Sequence, residues 1–198
     1  MKRILGIAMA AWLSTGTVWA DPVEEGNAAF LRGDYDKGIA LVLPLATKGD
    51  ASAQSYLGWM YRSLPGNRRD EMQAYKWLRL AAAQGDAPAQ FNLGVMYYFG
   101  YGVTQDYAQA VRLFTLSAEQ GYADPQFNLG MAYLNGQGVK QDDVTAHMWF
   151  NLAAAMGIER ARNNRDLLSK RMTADQIAEA QKMAHECQER HFKECRRS

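Results

Sequence analysis

The sequence predicts an all-α solenoid, which is a stack of antiparallel helix pairs. The main observation is an internal repeat, because residues 51–86, 87–122 and 123–158 align without gaps at a period of 36 residues. Within each unit, small and apolar residues recur at helical spacing in two separate stretches. A glycine closes each unit, at Gly85, Gly121 and Gly157, where a left-handed residue commonly ends a helix. A fixed period of this length is typical of repeat proteins that stack helix pairs.

The first helix of each unit carries a recurring leucine followed by a glycine. These pairs are Leu57-Gly58, Leu93-Gly94 and Leu129-Gly130. A glycine inside a helix costs about 1 kcal/mol relative to alanine. Its recurrence at one phase therefore predicts that the partner helix crosses there, at a point where no Cβ fits.

The second helix of each unit alternates large residues with alanines, as at Ala110, Phe114 and Ala118. Asp34 and Gly49 lie one period before Asp70 and Gly85, so residues 21–50 are predicted to form an additional N-terminal helix pair. Residues 159–198 are predicted to cap the array. Their first helix is expected over 159–170, and Thr173 opens the second with a capping box.

Two glycine-rich loops separate the helices of the second and third units, at Gly100-Tyr101-Gly102 and Gly136-Gln137-Gly138. A phosphate-binding loop would need a preceding strand and a lysine at a fixed spacing after the glycines. No strand is predicted before either loop, and no lysine stands at that spacing. The loops are therefore predicted to be turns with positive φ, for which glycine is suited.

Residues 1–20 have the pattern of a secretory signal peptide. Lys2 and Arg3 precede an apolar stretch from Ile4 to Leu13, and Val18-Trp19-Ala20 fits a cleavage site after Ala20. The alternative is an uncleaved N-terminal anchor. Cleavage would lower the basic count from 22 to 20 against 21 acidic residues, leaving a periplasmic or secreted chain without a membrane span.

The composition and the motifs argue against several functions. A nearly neutral chain lacks the electrostatic footprint of a nucleic-acid-binding protein. Neither the Gly-x-Ser-x-Gly nor the Ser-x-x-Lys motif occurs, and the three histidines form no convergent pattern. His147 is interpreted as a satisfied, partly buried residue. We therefore expect no catalytic residue, no metal site and no cofactor.

Three motifs resemble the Sel-one-like repeat family, relatives of the tetratricopeptide repeats with a longer loop between the helices. They are Ala-x-Ala-Gln-Phe-Asn-Leu-Gly at 87–94, Gly-x-Gly-Val-x-Gln-Asp at 100–106 and Trp-Phe-x-Leu-Ala-Ala at 149–154. The resemblance implies a right-handed α-solenoid that acts as an adaptor for other proteins. Residues 24–50 look more like a plain tetratricopeptide unit, and the segment from Met172 is similar to the ends of exported bacterial members.

In such a stack the first helices line the concave side, so position within the repeat predicts the groove. By resemblance to tetratricopeptide domains, Asn92 and Asn128 match a site whose amide binds a peptide backbone. The alternative is that both amides hydrogen-bond across neighbouring repeats. The mixture of aromatic, Met and Asn side chains suits a hydrophobic or amphipathic peptide of a partner protein. The protein itself is expected to be a monomer. The predicted groove residues are Tyr56, Trp59, Arg62, Asn92, Tyr98, Phe99, Asn128, Met131 and Asn135.

Cys187 and Cys195 admit three interpretations: a disulfide, free or intermolecular thiols, or a metal site with His191 and His185. In an unbroken helix the two Cα atoms would lie about 12 Å apart, whereas a disulfide needs roughly 4.4–6.8 Å. A disulfide therefore requires the helix to end between them. The resemblance to family tails with two cysteines at this spacing favours the disulfide.

The sequence leaves three functional hypotheses. The first is an exported adaptor that binds partner proteins on its concave surface. The second is an envelope-associated protein that binds or hydrolyses peptidoglycan or β-lactams. The third is a secreted factor that acts on a host cell.

Overall fold

A computed structural model describes residues 21–195, and this part of the chain is helical, with no strand. The signal-peptide prediction concerns residues 1–20, which lie outside the described residues. None of the described helices is long and apolar enough to cross a membrane. They are α1 (Pro22–Leu31), α2 (Tyr35–Thr47), α3 (Ala51–Ser63), α4 (Glu71–Ala83), α5 (Ala87–Phe99), α6 (Tyr107–Ala118), α7 (Ala123–Asn135), α8 (Asp143–Ala155), α9 (Glu159–Ser169) and α10 (Ala174–Glu189), with a 3-10 turn at Gly66–Arg68.

The helices form consecutive pairs, α1 with α2, α3 with α4, α5 with α6 and α7 with α8. The second helix of each pair packs against the first helix of the next pair, so the pairs stack in chain order. We call α1, α3, α5 and α7 the A helices, and α2, α4, α6 and α8 the B helices. The predicted all-α solenoid is confirmed.

Aspartates set the starts of most repeat helices. The side chains of Asp50, Asp70, Asp86 and Asp106 each accept a hydrogen bond from the backbone N–H three residues later, which satisfies a donor that the helix leaves free. Each B helix is followed by a glycine with positive φ, as at Gly85 with φ 90°. Both signals act within a few residues of the chain, so they set the helix boundaries locally.

The predicted close crossing of A and B helices is present in all three units. A Cβ built on Gly58 would lie 2.5 Å from Leu78 Cγ, and one on Gly94 would lie 2.7 Å from Phe114 Cε1. At Gly130 the corresponding distance to Phe150 Cδ1 is 2.5 Å. Real Cβ atoms do not approach this closely, so the missing side chain makes room for a large buried residue of the partner helix.

The glycine-rich loops are turns with positive φ, and they also join neighbouring units. A Cβ on Gly102 would lie 2.7 Å from Glu71 Cβ, and one on Gly138 would lie 2.3 Å from the carbonyl oxygen of Tyr107. Each loop therefore rests on the first residue or turn of the preceding unit's B helix. In the first unit a side chain takes this role, because Arg68 of the loop pairs with Asp36 at the start of α2.

The two C-terminal helices have different positions. Helix α9 packs on α8, as the next A helix of the stack would. Helix α10, opened by the predicted capping box at Thr173 and Gln176, also packs against α8. Ala180 and Ala184 of α10 share a core cluster with residues of α6, so α10 lies along the B-helix side. As a result, ten of the thirteen residues of α8 are buried.

The C-terminal cysteines form a disulfide. Helix α10 ends at Glu189, and the chain turns back through positive φ at His191 and Phe192, so the Cα atoms of Cys187 and Cys195 lie 4.9 Å apart. Both sulfurs belong to the core cluster between α6, α8 and α10. Within residues 21–195, no group of His, Cys, Asp and Glu side chains could hold a metal ion.

Paired glutamines link the two helices of one unit and also reach backbone carbonyls of the unit before it. Gln54 Nε2 donates to the Ala46 carbonyl oxygen, and its Oε1 accepts from Gln84 Nε2 at 2.8 Å. One period later, Gln120 Nε2 donates to Gln90 Oε1 at 2.9 Å. The third unit breaks the series, because its counterparts are Gln126 and Met156. Gln126 is 0% exposed, and neither its Nε2 nor its Oε1 has a hydrogen-bond partner within the described chain.

The broken pair predicts a stabilising substitution. Met156→Gln would place an amide donor where Gln84 and Gln120 have theirs, and satisfying a buried acceptor is expected to raise the free energy of unfolding by about 1 kcal/mol. Urea denaturation of the variant and the wild type would measure the change. Met156→Leu is the matched control, because it keeps an apolar side chain at the same site. Equal stability of the Gln and Leu variants would contradict the prediction.

The disulfide predicts a covalent and an energetic signature. Protein purified without reductant should be two hydrogens lighter than its reduced form and should resist alkylation at both cysteines. Closing a loop of this length stabilises a fold by about 2.5 kcal/mol in the chain-entropy model. The double substitution Cys187→Ala/Cys195→Ala should therefore lower the urea midpoint as much as reduction of the wild type does. Alkylation of both cysteines in the unreduced protein would refute the pairing.

Candidate functional site

An open cleft of about 360 Å³ lies among the A helices α1, α3 and α5. Its position follows from the stacking, because consecutive A helices lie side by side while the B helices cover their other face. The cleft is near the starts of α3 and α5, since it includes the N-cap of α5 and the second residue of each helix. It is lined by Asn27, Leu31, Ser52, Ser55, Tyr56, Trp59, Asp86, Pro88 and Asn92.

Three of the predicted groove residues line this cleft: Tyr56, Trp59 and Asn92. The Tyr56 side chain is 38% exposed. Trp59 is half-buried and packs on Phe30 of the N-terminal unit, with 5.3 Å between ring centroids. Both rings present apolar surface that no residue of the stack covers completely.

Arg62 and Asn92 contact each other at one side of the cleft. Arg62 Nη1 donates to Asn92 Oδ1 at 3.1 Å, and Asn92 Nδ2 donates to the Pro88 carbonyl oxygen at 2.9 Å. The Arg62 guanidinium also lies 5.8 Å from the Tyr101 ring centroid. Burial lowers the pKa of Arg62, with Glu71 and Tyr101 acting in the opposite direction. Of the two alternatives for Asn92, the hydrogen bond to a neighbouring repeat is therefore present, through Arg62.

Tyr98 and Phe99 lie at the other end of α5, outside the cleft. The Tyr98 hydroxyl donates to Gln137 Oε1 of the following unit, and its ring packs against Tyr107. Burial is the main cause that raises the pKa of Tyr98. Phe99 is 55% exposed and stacks on Tyr101 at 5.3 Å. Tyr98 therefore joins two units, and the Phe99 ring lies between the rings of Tyr98 and the exposed Tyr101.

The remaining predicted groove residues belong to α7 and do not line the cleft. Asn128 is half-buried. Met131 Sδ accepts from Asn164 Nδ2 of α9 at 3.5 Å, so α9 covers this part of the A-helix face. Asn135 is exposed and its Nδ2 lies 3.4 Å from Gln137 Oε1.

Six of the nine lining residues were not in the predicted groove set. Asn27 and Leu31 come from α1, whose register cannot be derived from the 36-residue repeat because its loop to α2 is shorter. Asp86 is one of the aspartates that recur before the repeat helices, and helix capping explains its position in the sequence without a groove. Ser55 shares the groove phase of Tyr56 and Trp59 within the repeat, and Ser52 lies one turn earlier on the same helix face. The sixth residue is Pro88.

His147 lies inside α8 and is 2% exposed, so it is more deeply buried than the sequence suggested. The Ser169 hydroxyl donates to the Arg165 carbonyl oxygen at 2.9 Å, so it must accept from His147 Nε2–H, 3.0 Å away. His147 Nδ1 has no partner among the described residues. Burial, reinforced by the charge of Arg165, lowers the pKa of His147 and keeps the ring neutral.

Comparisons with known proteins agree with this architecture. The sequence model of the Sel1 repeat family matches residues 51–86, 87–122 and 126–158, which together make up more than half of the chain. The protein is thus an α-solenoid built from helix-pair repeats. It belongs to the Sel1 repeat family, as the motifs indicated. Proteins with this fold are scaffolds, generally non-enzymatic, that commonly mediate protein interactions.

Two solved structures are similar to the chain. A protective antigen of uropathogenic Escherichia coli strains with an SLR fold is 33% identical, with a TM-score of 0.74 over 87% of this chain and 40% of its own. A Sel1 repeat protein from Oxalobacter formigenes is 32% identical, with a TM-score of 0.67 over 73% of this chain and 59% of its own. The chain thus spans less than two thirds of either relative. No protein with a curated description matches the sequence.

The environment of His147 predicts a pH-dependent stability. The folded-state pKa lies below the unfolded value of about 6.5, so the unfolded state binds more protons and stability falls as the pH drops below about 6.5. Urea midpoints at pH 7.5 and 5.0 should therefore differ more for the wild type than for His147→Leu. His185→Gln is the control, because His185 is exposed on α10. If His147→Leu kept the full wild-type pH dependence, another group would be responsible.

Proposed function

We propose that the protein is an exported, monomeric adaptor that binds an extended segment of a partner protein in the cleft between α1, α3 and α5. The observation that supports this proposal is the position of Tyr56 and Trp59 in an open cleft on the A-helix face. Aromatic side chains are enriched at the centres of protein interfaces because they bury a large area at little cost in conformational entropy.

Export is proposed on two grounds. The first 20 residues have the charged start, short apolar stretch and small-residue cleavage site of a signal peptide. The Cys187–Cys195 disulfide is typical of an oxidising compartment such as the periplasm or the extracellular space. The two observations come from opposite ends of the chain and support the same location.

The comparison with the protective antigen favours a second candidate, a factor that acts outside the cell. That relative is described as a protective antigen present in uropathogenic strains, so it is a protein that the host immune system meets. An extracellular location of this chain would follow if it resembles that relative in function. Finding this protein in cell-free culture supernatant, and not in the periplasmic fraction, would distinguish an extracellular factor from a periplasmic adaptor.

The adaptor proposal predicts that partner binding depends on Tyr56. Affinity capture from envelope and supernatant fractions should recover partners with the wild type and lose them, by about tenfold, with Tyr56→Ala, because truncating a central interface aromatic costs more than 1 kcal/mol. Tyr122→Ala is the matched control, since Tyr122 is 45% exposed at the start of α7 and does not line the cleft. Circular dichroism would verify that both variants fold. Equal recovery with Tyr56→Ala and Tyr122→Ala would refute the cleft as the binding site.

A further inference from the structure

The lining of the cleft carries a negative charge, and Arg62, which donates to Asn92 at one side, is not part of the lining. Of the nine described residues that line it, Asp86 alone has a formal charge. One carboxylate oxygen of Asp86, Oδ1, accepts from Ala89 N at 2.7 Å and caps α5. A carboxylate has two oxygens with several lone pairs, so capping leaves Asp86 with acceptor capacity on its half-buried side chain. The N-terminus of α5 contributes only about half a positive charge, which a full negative charge outweighs.

The walls of the cleft are mainly apolar. Leu31 from α1, Tyr56 and Trp59 from α3, and Pro88 from α5 supply aliphatic and aromatic surface. Leu31 is 68% exposed, a high value for a leucine beside a cleft. A ligand that fits must therefore cover apolar walls with a chain of carbon atoms and place a positive charge near Asp86.

The geometry points to a basic side chain of the partner, lysine in particular, as the group that occupies the cleft. This inference rests on the proposed function and specifies the chemistry of the bound segment. Lysine combines a four-carbon aliphatic stem with a terminal ammonium group, so its stem can lie against Tyr56 and Trp59 while the ammonium meets the Asp86 carboxylate. A cation close to an aromatic face gains further attraction from the ring. The cleft is open, so the ammonium can keep part of its hydration.

Peptide libraries would test the inference. Hexapeptides with five randomised positions and one fixed residue, which is Lys, norleucine or Glu, are passed over the immobilised full-length protein. Norleucine has the aliphatic stem of lysine without its charge. We expect about fivefold or greater retention of the Lys library over the norleucine library, least retention of the Glu library, and a smaller difference at high salt.

The matched variants are Asp86→Asn and Asp106→Asn. Asparagine is also a good N-cap, so each substitution removes a charge without removing the cap. Asp106 caps α6 in the same way as Asp86 caps α5, through Gln109 N at 3.0 Å, but does not line the cleft. Asp86→Asn should abolish the preference for Lys over norleucine, whereas Asp106→Asn should preserve it.

The outcomes separate this inference from the proposed function. Retention of the norleucine or Glu library equal to or above that of the Lys library overturns the inference, while binding that Tyr56→Ala removes still supports a peptide cleft. An unchanged Lys preference in Asp86→Asn also overturns the inference. Failure to retain any library, together with binding of soluble peptidoglycan fragments that Tyr56→Ala removes, would overturn both the inference and the adaptor proposal.

Discussion

The close crossing of A and B helices at a glycine is the constraint on which the rest of the fold depends. At Gly58, Gly94 and Gly130 the missing Cβ admits the side chain of Leu78, Phe114 or Phe150. Those side chains are 1% exposed or less, so each crossing also builds a core. Because the crossing recurs every 36 residues, each helix pair presents similar faces to the pair before it and the pair after it. Such pairs stack one on another into a linear array.

Contacts between pairs then fix how the array stacks. Each glutamine pair joins the A helix of a unit to the end of its own B helix, and Gln54 and Gln120 also donate to backbone carbonyls of the preceding unit. The glycine-rich loops rest on the B helix of the preceding unit. Both kinds of contact change in the first and last repeats. In the first repeat, the Arg68 side chain replaces the backbone contact of the loop, and in the third repeat, Met156 replaces the second glutamine of the pair. The terminal units can therefore differ in sequence without loss of the array, since each contact involves neighbours alone.

The cleft is a consequence of this end variation. Its walls come from α1, which has its own register, and from α3 and α5, which follow the repeat. Toward the C-terminus, Asn164 of α9 contacts Met131 on the A-helix face, while α10 and its disulfide cover the B-helix side of α6 and α8. Open apolar surface on the A helices is thus concentrated at the N-terminal half of the protein, together with the charge of Asp86.

The sequence by itself determined the helix pairs, their crossing glycines and the turns, because caps, positive-φ glycines and helical periodicity act over a few residues and repeat three times. It also identified Tyr56, Trp59 and Asn92, since repeat phase places them on the A-helix face. Only the tertiary structure decided that α1 completes a cleft, that Tyr98 is engaged with Gln137, and that α10 folds back along α8. Those features depend on contacts between residues far apart in the chain and on the non-repeating ends, where periodicity carries no information.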